Sequence, residues 1–105
     1  MKSSFENTVI QAAQFSDWRV AHFRAIQGMN GRWRTPVAAQ GKGFPDLVMV
    51  RDNRLIFAEI KGEKNQPEPE QKLWLNALEQ TCAEVYLWRP QHWGDVVKIL
   101  ELECV

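Results

Sequence analysis

The sequence lacks the features that mark membrane, secreted and repeat proteins. It contains no run of 18 apolar residues that could cross a bilayer as a helix, and its first residues lack the apolar core of a signal peptide. It contains no internal repeat or low-complexity segment. Its two cysteines, Cys82 and Cys104, do not have the spacing of metal ligands. These absences predict a single domain over residues 1–105 that is intracellular, in the cytoplasm, and has no membrane partner.

Net charge gives little information about partners, because 13 basic residues balance 13 acidic ones. The charge is nevertheless distributed unevenly. Residues 18–54 contain seven basic and two acidic side chains, a net charge of +5, whereas residues 63–105 contain four basic and eight acidic side chains, a net charge of −4. A chain polarised in this way can present one basic face to phosphate groups. The alternative is ordinary solvated surface charge.

Two carboxylates lie in an otherwise apolar setting. Residues 47–51 and 54–60 are short, mostly apolar runs, and the turn-forming pair Asp-Asn at 52–53 separates them. This pattern predicts a β-hairpin, with Asp46 just before its first strand and Glu59 near the end of its second. Because buried charge is costly unless it is paired or binds a metal, the two carboxylates call for a specific partner.

A two-residue turn also fixes the register of the hairpin. Opposed residues then have positions that sum to 105, so Asp46 falls directly opposite Glu59 on one face of the sheet. Directly opposed Cβ atoms lie about 4.5–5.5 Å apart, close enough for one Mg²⁺ to bind both carboxylates at ligand distances of about 2.0–2.1 Å. Lys61 follows two residues after Glu59 and shares that face. We therefore expect a divalent-cation site here; the alternative is an ordinary cross-strand ion pair at a sheet end.

The remaining pattern predicts an α/β domain with a helix before the hairpin and two after it. Apolar residues at helical spacing indicate a first helix over residues 3–15. A second helix, over residues 70–80, is expected to bury one apolar face made of Leu73, Trp74, Ala77 and Leu78. The other predicted elements are a first strand over residues 18–25, a loop over 27–44, a buried strand over 83–88 and a closing helix over 93–102.

The predicted loop carries side chains that suit nucleic acid. Arg32, Trp33 and Arg34 place an aromatic ring between two guanidinium groups, a combination that favours phosphate contact with base stacking or wedging. Lys42 adds a cation to the same loop, which leads directly into the hairpin. The alternative for Trp33 is that it covers the edge of the core. His22, on the first strand, is expected either to touch DNA or a metal-bound water, or to have a structural role.

Four segments, taken in order, resemble the PD-(D/E)xK nuclease signature and, more closely, its VRR-NUC branch. They are Gly-Phe-Pro-Asp-Leu at 43–47, Phe-Ala-Glu-Ile-Lys-Gly at 57–62, Glu-Gln-Lys-Leu-Trp-Leu at 70–75 and Ala-Glu-Val-Tyr-Leu-Trp-Arg-Pro at 83–90. The branch includes small phage and bacterial proteins that are similar to Holliday-junction resolvases. The resemblance covers about residues 5–93.

The resemblance implies a restriction-endonuclease-like core of order α-β-β-β-α-β around a central mixed sheet, followed here by a C-terminal helix. It also implies metal-dependent cleavage of DNA, with Mg²⁺ or Mn²⁺ as the cofactor. The residues that match the metal ligands are Asp46, Glu59 and, through its backbone carbonyl, Ile60. Lys61 matches the catalytic lysine.

The same resemblance implies two further catalytic residues. Glu6 matches a glutamate of the first helix that supports the metal, and Gln71 matches a recurrent glutamine near the site. Glu6 also has an alternative role, because with Ser3 it fits a helix capping box. The chain departs from the family at Glu68, where Ser or Thr often caps the second helix.

These observations lead to an expected function. The chain is expected to be a metal-dependent DNA endonuclease, a hydrolase of phosphodiester bonds that selects branched DNA in the manner of a Holliday-junction resolvase. Five tryptophans in so short a chain favour a hydrophobic dimer surface, so a homodimer is also expected. The alternatives are a generic nuclease of single strands or flaps, a DNA-binding module with a vestigial site, and a purely structural interaction protein.

Overall fold

The computed structural model describes residues 2–23, 26–27, 29–34 and 38–102, except for the side chains of residues 26, 27, 33 and 34. Cys104 therefore lies outside the described residues. Within them the chain forms helices α1 (Lys2–Phe15), α2 (Pro69–Glu79) and α3 (Trp93–Glu101), a 3-10 turn (Pro90–His92), and strands β1 (Arg19–His22), β2 (Ile26–Gln27), β3 (Trp33–Arg34), β4 (Leu47–Arg51), β5 (Arg54–Ile60) and β6 (Glu84–Trp88).

A mixed sheet of four strands, in the order β1-β4-β5-β6, organises the described residues. β1 and β5 both run antiparallel to β4, and β6 runs parallel to β5. Parallel neighbours require a crossover connection, and α2 lies in it. The α/β class and the mixed sheet expected from the sequence are thus confirmed. No helix in the described part of the chain is long and apolar enough to span a bilayer.

The hydrophobic core lies between one face of this sheet and the helices α1 and α3. Because side chains alternate between the two faces of a strand, every second residue of β4 and β5 enters this core. The fully buried apolar members are Val9, Ala13, Leu47, Met49, Ile56, Ala58, Ile60 and Val96, with Leu100 and the indole rings of Trp18 and Trp88 almost fully buried.

The β4–β5 hairpin has the register that its two-residue turn predicts. Arg51 is paired with Arg54 and Leu47 with Ala58. Asp52 occupies the turn with a φ of 54°, a left-handed conformation that Asp tolerates better than most residues. Asp46 directly precedes Leu47 and Glu59 directly follows Ala58, the last pair of the ladder, so both carboxylates lie at the open end of the hairpin.

Three of the sequence-based predictions are wrong in detail. The loop over residues 27–44 contains the two-residue ladder of β2 with β3, which is too short to produce a recognisable alternation. The first strand spans only Arg19–His22. In α2, Leu73 is 69% exposed and Ala77 is also exposed. The partly buried face of α2 instead consists of Gln71, Trp74, Leu75 and Leu78.

The orientation of α2 follows from an aromatic cluster on the second face of the sheet. The Trp74 ring packs edge-on against Phe44 at a centroid distance of 5.0 Å, and Phe44 packs edge-on against Phe57 of β5 at 5.9 Å. Trp74 Nε1 also donates to the carbonyl oxygen of Gln40 at 3.0 Å. Trp74 therefore turns toward the segment that precedes β4, and this leaves Leu73 in solvent.

At the turn end of the hairpin, two arginines hold α3. The guanidinium groups of Arg51 and Arg54 lie 4.9 and 4.8 Å from the centroid of the Trp18 ring. Their Nη1 atoms donate, at 2.8–3.0 Å, to the carbonyl oxygens of Ser16, Ile99, Leu100 and Leu102. A helix leaves its last four carbonyls without intrahelical donors, so these arginines cap α3. Two of the seven basic residues in the net-positive segment 18–54 are thus engaged in packing.

Arg54 also makes an ion pair across the sheet. Its Nε and Nη2 donate to the two carboxylate oxygens of Glu84 at 2.8 and 2.7 Å, and the Tyr86 hydroxyl donates to Glu84 Oε1 at 2.7 Å. The Arg54 hydrogen bonds, which outweigh the partial burial of the group, lower the pKa of Glu84. This bidentate geometry ties β5 to β6.

Candidate metal centre

Asp46 and Glu59 meet at the open end of the hairpin. Asp46 precedes β4, yet it is held on both sides: its carbonyl oxygen accepts the Phe23 amide at 3.0 Å, and its Oδ2 accepts the Ile60 amide at 3.0 Å. The first bond extends the β1–β4 backbone pairing by one residue, and the second ties the Asp46 side chain to the end of β5. The backbone therefore fixes the Asp46 carboxylate beside the last residues of β5, where the sequence placed it.

Glu59 is the most deeply buried charged side chain among the described residues, with 1% of the side chain exposed. Its Oε2 accepts a hydrogen bond from Gln71 Nε2 at 2.8 Å and lies 3.8 Å from Lys61 Nζ. Its Oε1 is fully buried and has no hydrogen-bond partner within the described residues. Buried polar atoms in folded proteins are nearly always paired, so this oxygen is the anomaly of the site.

The same burial alters protonation. Desolvation, followed by the negative charge of Asp46, raises the pKa of Glu59 to about 7, although the charges of Lys2 and Lys61 and a hydrogen bond from the Asp46 backbone act in the opposite direction. Desolvation and then the Asp46 charge also raise the pKa of Glu6. A carboxylate whose ionised form is disfavoured by burial and by a second carboxylate gains most from a nearby cation.

Gln71 reaches Glu59 from the first turn of α2. Its Oε1 accepts the amide of Glu68 at 2.7 Å, which leaves Nε2 directed at Glu59. Glu68 precedes the helix at the position where the family that the sequence resembles often has a capping Ser or Thr. Here the backbone N–H of Glu68 is satisfied by the amide oxygen of Gln71. The predicted proximity of Gln71 to Glu59 is confirmed.

The position of α2 depends on a close approach at Gly43. A Cβ atom at residue 43 would lie 2.5 Å from the carbonyl carbon of Glu70 and 2.7 Å from the amide nitrogen of Gln71, and the φ of Gly43 is +86°. Both the contact and the left-handed conformation require glycine. The segment before β4 therefore packs directly on the helical turn that carries Gln71.

Glu6 enters the site from α1. Its Oε1 lies 3.0 Å from His22 Nε2, and the residue is 9% exposed. The helix begins at Lys2, so Ser3 lies inside its first turn and is not the N-cap. The capping alternative for Glu6 is therefore wrong, and its carboxylate is turned to β1. His22 pairs with Leu47 in the sheet, next to Asp46, which brings it to the same end of the hairpin.

Sequence reasoning missed Lys2. Its Nζ lies 3.2 Å from Asp46 Oδ2. Lys2 and Glu6 are four residues apart on α1 and therefore share a helix face, which was the only available signal. That spacing shows a shared face but not that α1 docks against Asp46.

Two of the residues predicted to contact DNA, Lys42 and Arg32, are exposed, whereas His22 is partly buried beside Glu6. Lys42 has an 81% exposed side chain, with Nζ 3.3 Å from Glu70 Oε1. Arg32 is exposed, and its backbone amide donates to Asn30 Oδ1 at 3.0 Å. The side chains of Trp33 and Arg34 lie outside the described residues. Their contact with DNA stays a prediction.

The described residues contain no group of three or more His, Cys, Asp or Glu side chains placed to hold a metal ion by themselves. A surface groove at the turn end of the hairpin, lined in part by Asp17, Arg19 and Arg51, includes none of the carboxylates above. Comparisons with protein-family models, with curated proteins and with solved structures found no match for this chain.

Proposed function

We propose that this protein is a divalent-metal-dependent endodeoxyribonuclease of the PD-(D/E)xK class, similar to the VRR-NUC branch. The observation that carries the proposal is the buried, unpartnered Oε1 of Glu59. It belongs to a carboxylate that faces a second one, Asp46, at the end of a hairpin. A protein keeps such an arrangement at a cost in stability, and a cation held by the two carboxylates would offset that cost.

The residues at the site suit Mg²⁺ or Mn²⁺. Mg²⁺ keeps several water molecules and uses one or two protein carboxylates rather than a complete protein cage, so a pair of carboxylates is sufficient. Asp46 and Glu59 would bind it directly, with the carbonyl oxygen of Ile60 as a third ligand. Glu6 would support it directly or through water. Bound there, the cation would activate a water molecule and neutralise negative charge on the phosphate.

The other side chains of the site have separable tasks. Lys61, with 12% of its side chain exposed, orients the attacking water or helps to remove its proton. Gln71 fixes Oε2 of Glu59 and leaves Oε1, which would be available to a cation. Water attacks the phosphorus, and one P–O bond of the backbone breaks. Removal of either carboxylate would therefore abolish cation binding and with it the reaction.

The proposed substrate is branched DNA, because the resemblance is to resolvases. Exposed Arg32 and Lys42 precede Asp46 in the chain and are proposed to hold the DNA backbone, together with Arg34. Trp33 would stack on a base, and His22 would approach the DNA from β1. A homodimer would supply two sites for paired cuts on opposite strands. Sedimentation at micromolar concentration tests the dimer directly.

The test is cleavage of a labelled four-way junction, with linear duplex, single-strand and flap controls, in Mg²⁺, in Mn²⁺ and in EDTA. Glu59→Ala removes the carboxylate, and Glu79→Ala removes an exposed glutamate of α2 as the matched control. We expect metal-dependent, paired nicks from the wild type and from Glu79→Ala, and none from Glu59→Ala. Circular dichroism of each variant checks that the fold is retained.

Two results would change the assignment. Wild-type cleavage by folded Glu59→Ala would contradict the role of the carboxylate pair. Absence of cleavage on every substrate, with DNA binding retained and no metal binding, would indicate a DNA-binding module with a vestigial site. Cutting of flaps or single strands in preference to junctions would keep the chemistry and change the substrate.

A further inference from the structure

Lys2 places a positive charge among the three carboxylates of the site, Asp46, Glu59 and Glu6, which we call the carboxylate cluster. Its ammonium contacts Asp46 Oδ2 at 3.2 Å. The same charge acts against the raised pKa of both Glu59 and Glu6, so it is felt by all three carboxylates. No other described lysine or arginine makes an ion pair with Asp46.

We propose that Lys2 is a built-in counter-cation of this cluster, which neutralises Asp46 when no metal is bound and competes with the divalent cation for it. The competition rests on the cation site proposed above. The role of Lys2 in the metal-free protein does not depend on that site. Lys2 thus acts on the cation affinity of the cluster indirectly, by occupying Asp46 Oδ2, and does not itself touch the substrate.

Asp46 Oδ2 explains why the two cations exclude each other. That oxygen already accepts the Ile60 amide at 3.0 Å and contacts the Lys2 ammonium at 3.2 Å. A divalent cation that binds Asp46 meets an ammonium group within a few ångströms, and like charges at such distances repel strongly in a partly desolvated site. Lys2 must therefore leave, or the cation binds more weakly.

The two lysines of the site differ in their freedom to move. The Lys61 side chain is 12% exposed, whereas that of Lys2 is 40% exposed. A lysine side chain has four carbons and a strongly hydrated end, so Lys2 can turn into solvent without disturbing α1. Lys61 is enclosed and remains beside Glu59. Lys2 is the displaceable cation and Lys61 the resident one.

This role predicts that removal of Lys2 lowers the stability of the metal-free protein but raises its affinity for the metal. In metal-free protein, Lys2→Ala leaves Asp46 without its ion-pair partner, removes a positive charge that acts on Glu59 and Glu6, and lowers stability. In the presence of the metal, the same change removes a competitor and tightens binding. Because a partly exposed ion pair contributes up to about 1 kcal/mol, we expect Mn²⁺ to bind Lys2→Ala about fivefold more tightly. A merely structural lysine would weaken both stability and metal binding when removed.

The experiment is isothermal titration of Mn²⁺ and of Mg²⁺ into wild type, Lys2→Ala, Lys2→Arg and Lys98→Ala, with urea unfolding of each in EDTA. Ala is the best helix former, so Lys2→Ala does not damage α1. Lys2→Arg keeps the charge and should bind metal like the wild type. Lys98 is an exposed lysine of α3, so Lys98→Ala serves as the charge-matched control and should not change the metal affinity.

The outcomes separate this inference from the function on which it rests. Tighter binding by Lys2→Ala, with lower stability in EDTA, supports the inference. Equal or weaker binding by Lys2→Ala, while the wild type binds metal, overturns the counter-cation role and leaves the metal centre standing. Failure of wild type and Lys2→Ala alike to bind either metal overturns the metal centre and the competition that rests on it, and the role of Lys2 in the metal-free protein is then decided by the unfolding in EDTA. Unchanged stability of Lys2→Ala in EDTA also overturns the role assigned to Lys2 in the metal-free protein.

Discussion

The cost of burying Glu59 can be measured without any assay of activity. We consider Glu59→Gln in metal-free protein, because glutamine keeps the shape of the side chain and its Oε1 can still accept from Gln71. The amide nitrogen of the glutamine then lacks a hydrogen-bond partner, as Oε1 of Glu59 does. The free-energy cost of this missing hydrogen bond does not vary with pH. The charge, by contrast, is lost completely. The pH dependence of the stability difference therefore isolates the charge.

The sign and size follow from the raised pKa of Glu59. The folded state, with a pKa of about 7 against 4.5 for an ordinary glutamate, binds a proton more tightly than the unfolded state. Stability is thus highest below pH 4.5 and falls as the pH rises toward 7. At about 1.36 kcal/mol per pKa unit, the wild type should lose about 3 kcal/mol over this range. Glu59→Gln lacks this loss.

Urea unfolding in EDTA, followed by tryptophan fluorescence from pH 4 to pH 8, measures the effect. We expect the free energy of unfolding of Glu59→Gln, relative to wild type, to rise by about 3 kcal/mol between these limits. Glu79→Gln, at an exposed position of α2, should show a constant difference. A constant difference for Glu59→Gln, within about 0.5 kcal/mol, would refute the reasoning that burial disfavours the ionised carboxylate.

A cation should reverse the effect in the wild type alone. At pH 8 and a concentration of Mn²⁺ near 100 times its dissociation constant, a ligand that binds only the folded state adds about 2.7 kcal/mol of stability. Glu59→Gln should gain little, because it lacks one of the two proposed carboxylate ligands. Equal stabilisation of both proteins by Mn²⁺ would place the bound metal elsewhere.

Three further predictions concern the framework of the site. Glu84→Gln loses the bidentate pair with Arg54 and should cost roughly 1.5–3 kcal/mol at pH 7; since Arg54 lowers the pKa of Glu84, the cost should shrink as the pH falls below 4.5 in urea titrations. Gly43→Ala should lower the melting temperature and weaken Mn²⁺ binding, because the new methyl group displaces the turn that carries Gln71; unchanged Mn²⁺ affinity would contradict this coupling. Leu73→Lys should change the free energy of unfolding by less than about 0.5 kcal/mol, and a larger loss would mean that this face of α2 is covered.

Sequence reasoning succeeded where local chemistry decides the geometry. The turn at 52–53 and the period-two alternation fix the hairpin register, so the opposition of Asp46 and Glu59 was predictable. The position of Gln71 near Glu59 came from the resemblance. Its hydrogen bonds to Glu59 and Glu68 needed the docked helix.

The errors arise where tertiary contacts decide. The orientation of α2 depends on Trp74 packing against Phe44, which turns Leu73 outward although its sequence position suits the buried face. The pairing of β2 with β3 involves two residues on each strand, too few for a periodic signal. Lys2 could not be placed because its partner is 44 positions away and the contact requires α1 to dock at the end of the sheet.

The arginine cap of α3 has a consequence for folding. The carbonyls at the end of α3 receive their hydrogen bonds from Arg51 and Arg54, which flank the turn of the β4–β5 hairpin. The Trp18 indole also donates to the Leu100 carbonyl oxygen, but the arginine hydrogen bonds form only when the hairpin has formed, so opening of the hairpin weakens the end of α3. In native-state hydrogen exchange, we expect the last turn of α3 and the amides around the hairpin turn to open together, as one cooperative unit. The hairpin that carries the carboxylates at its open end is thus held at its turn end by α3.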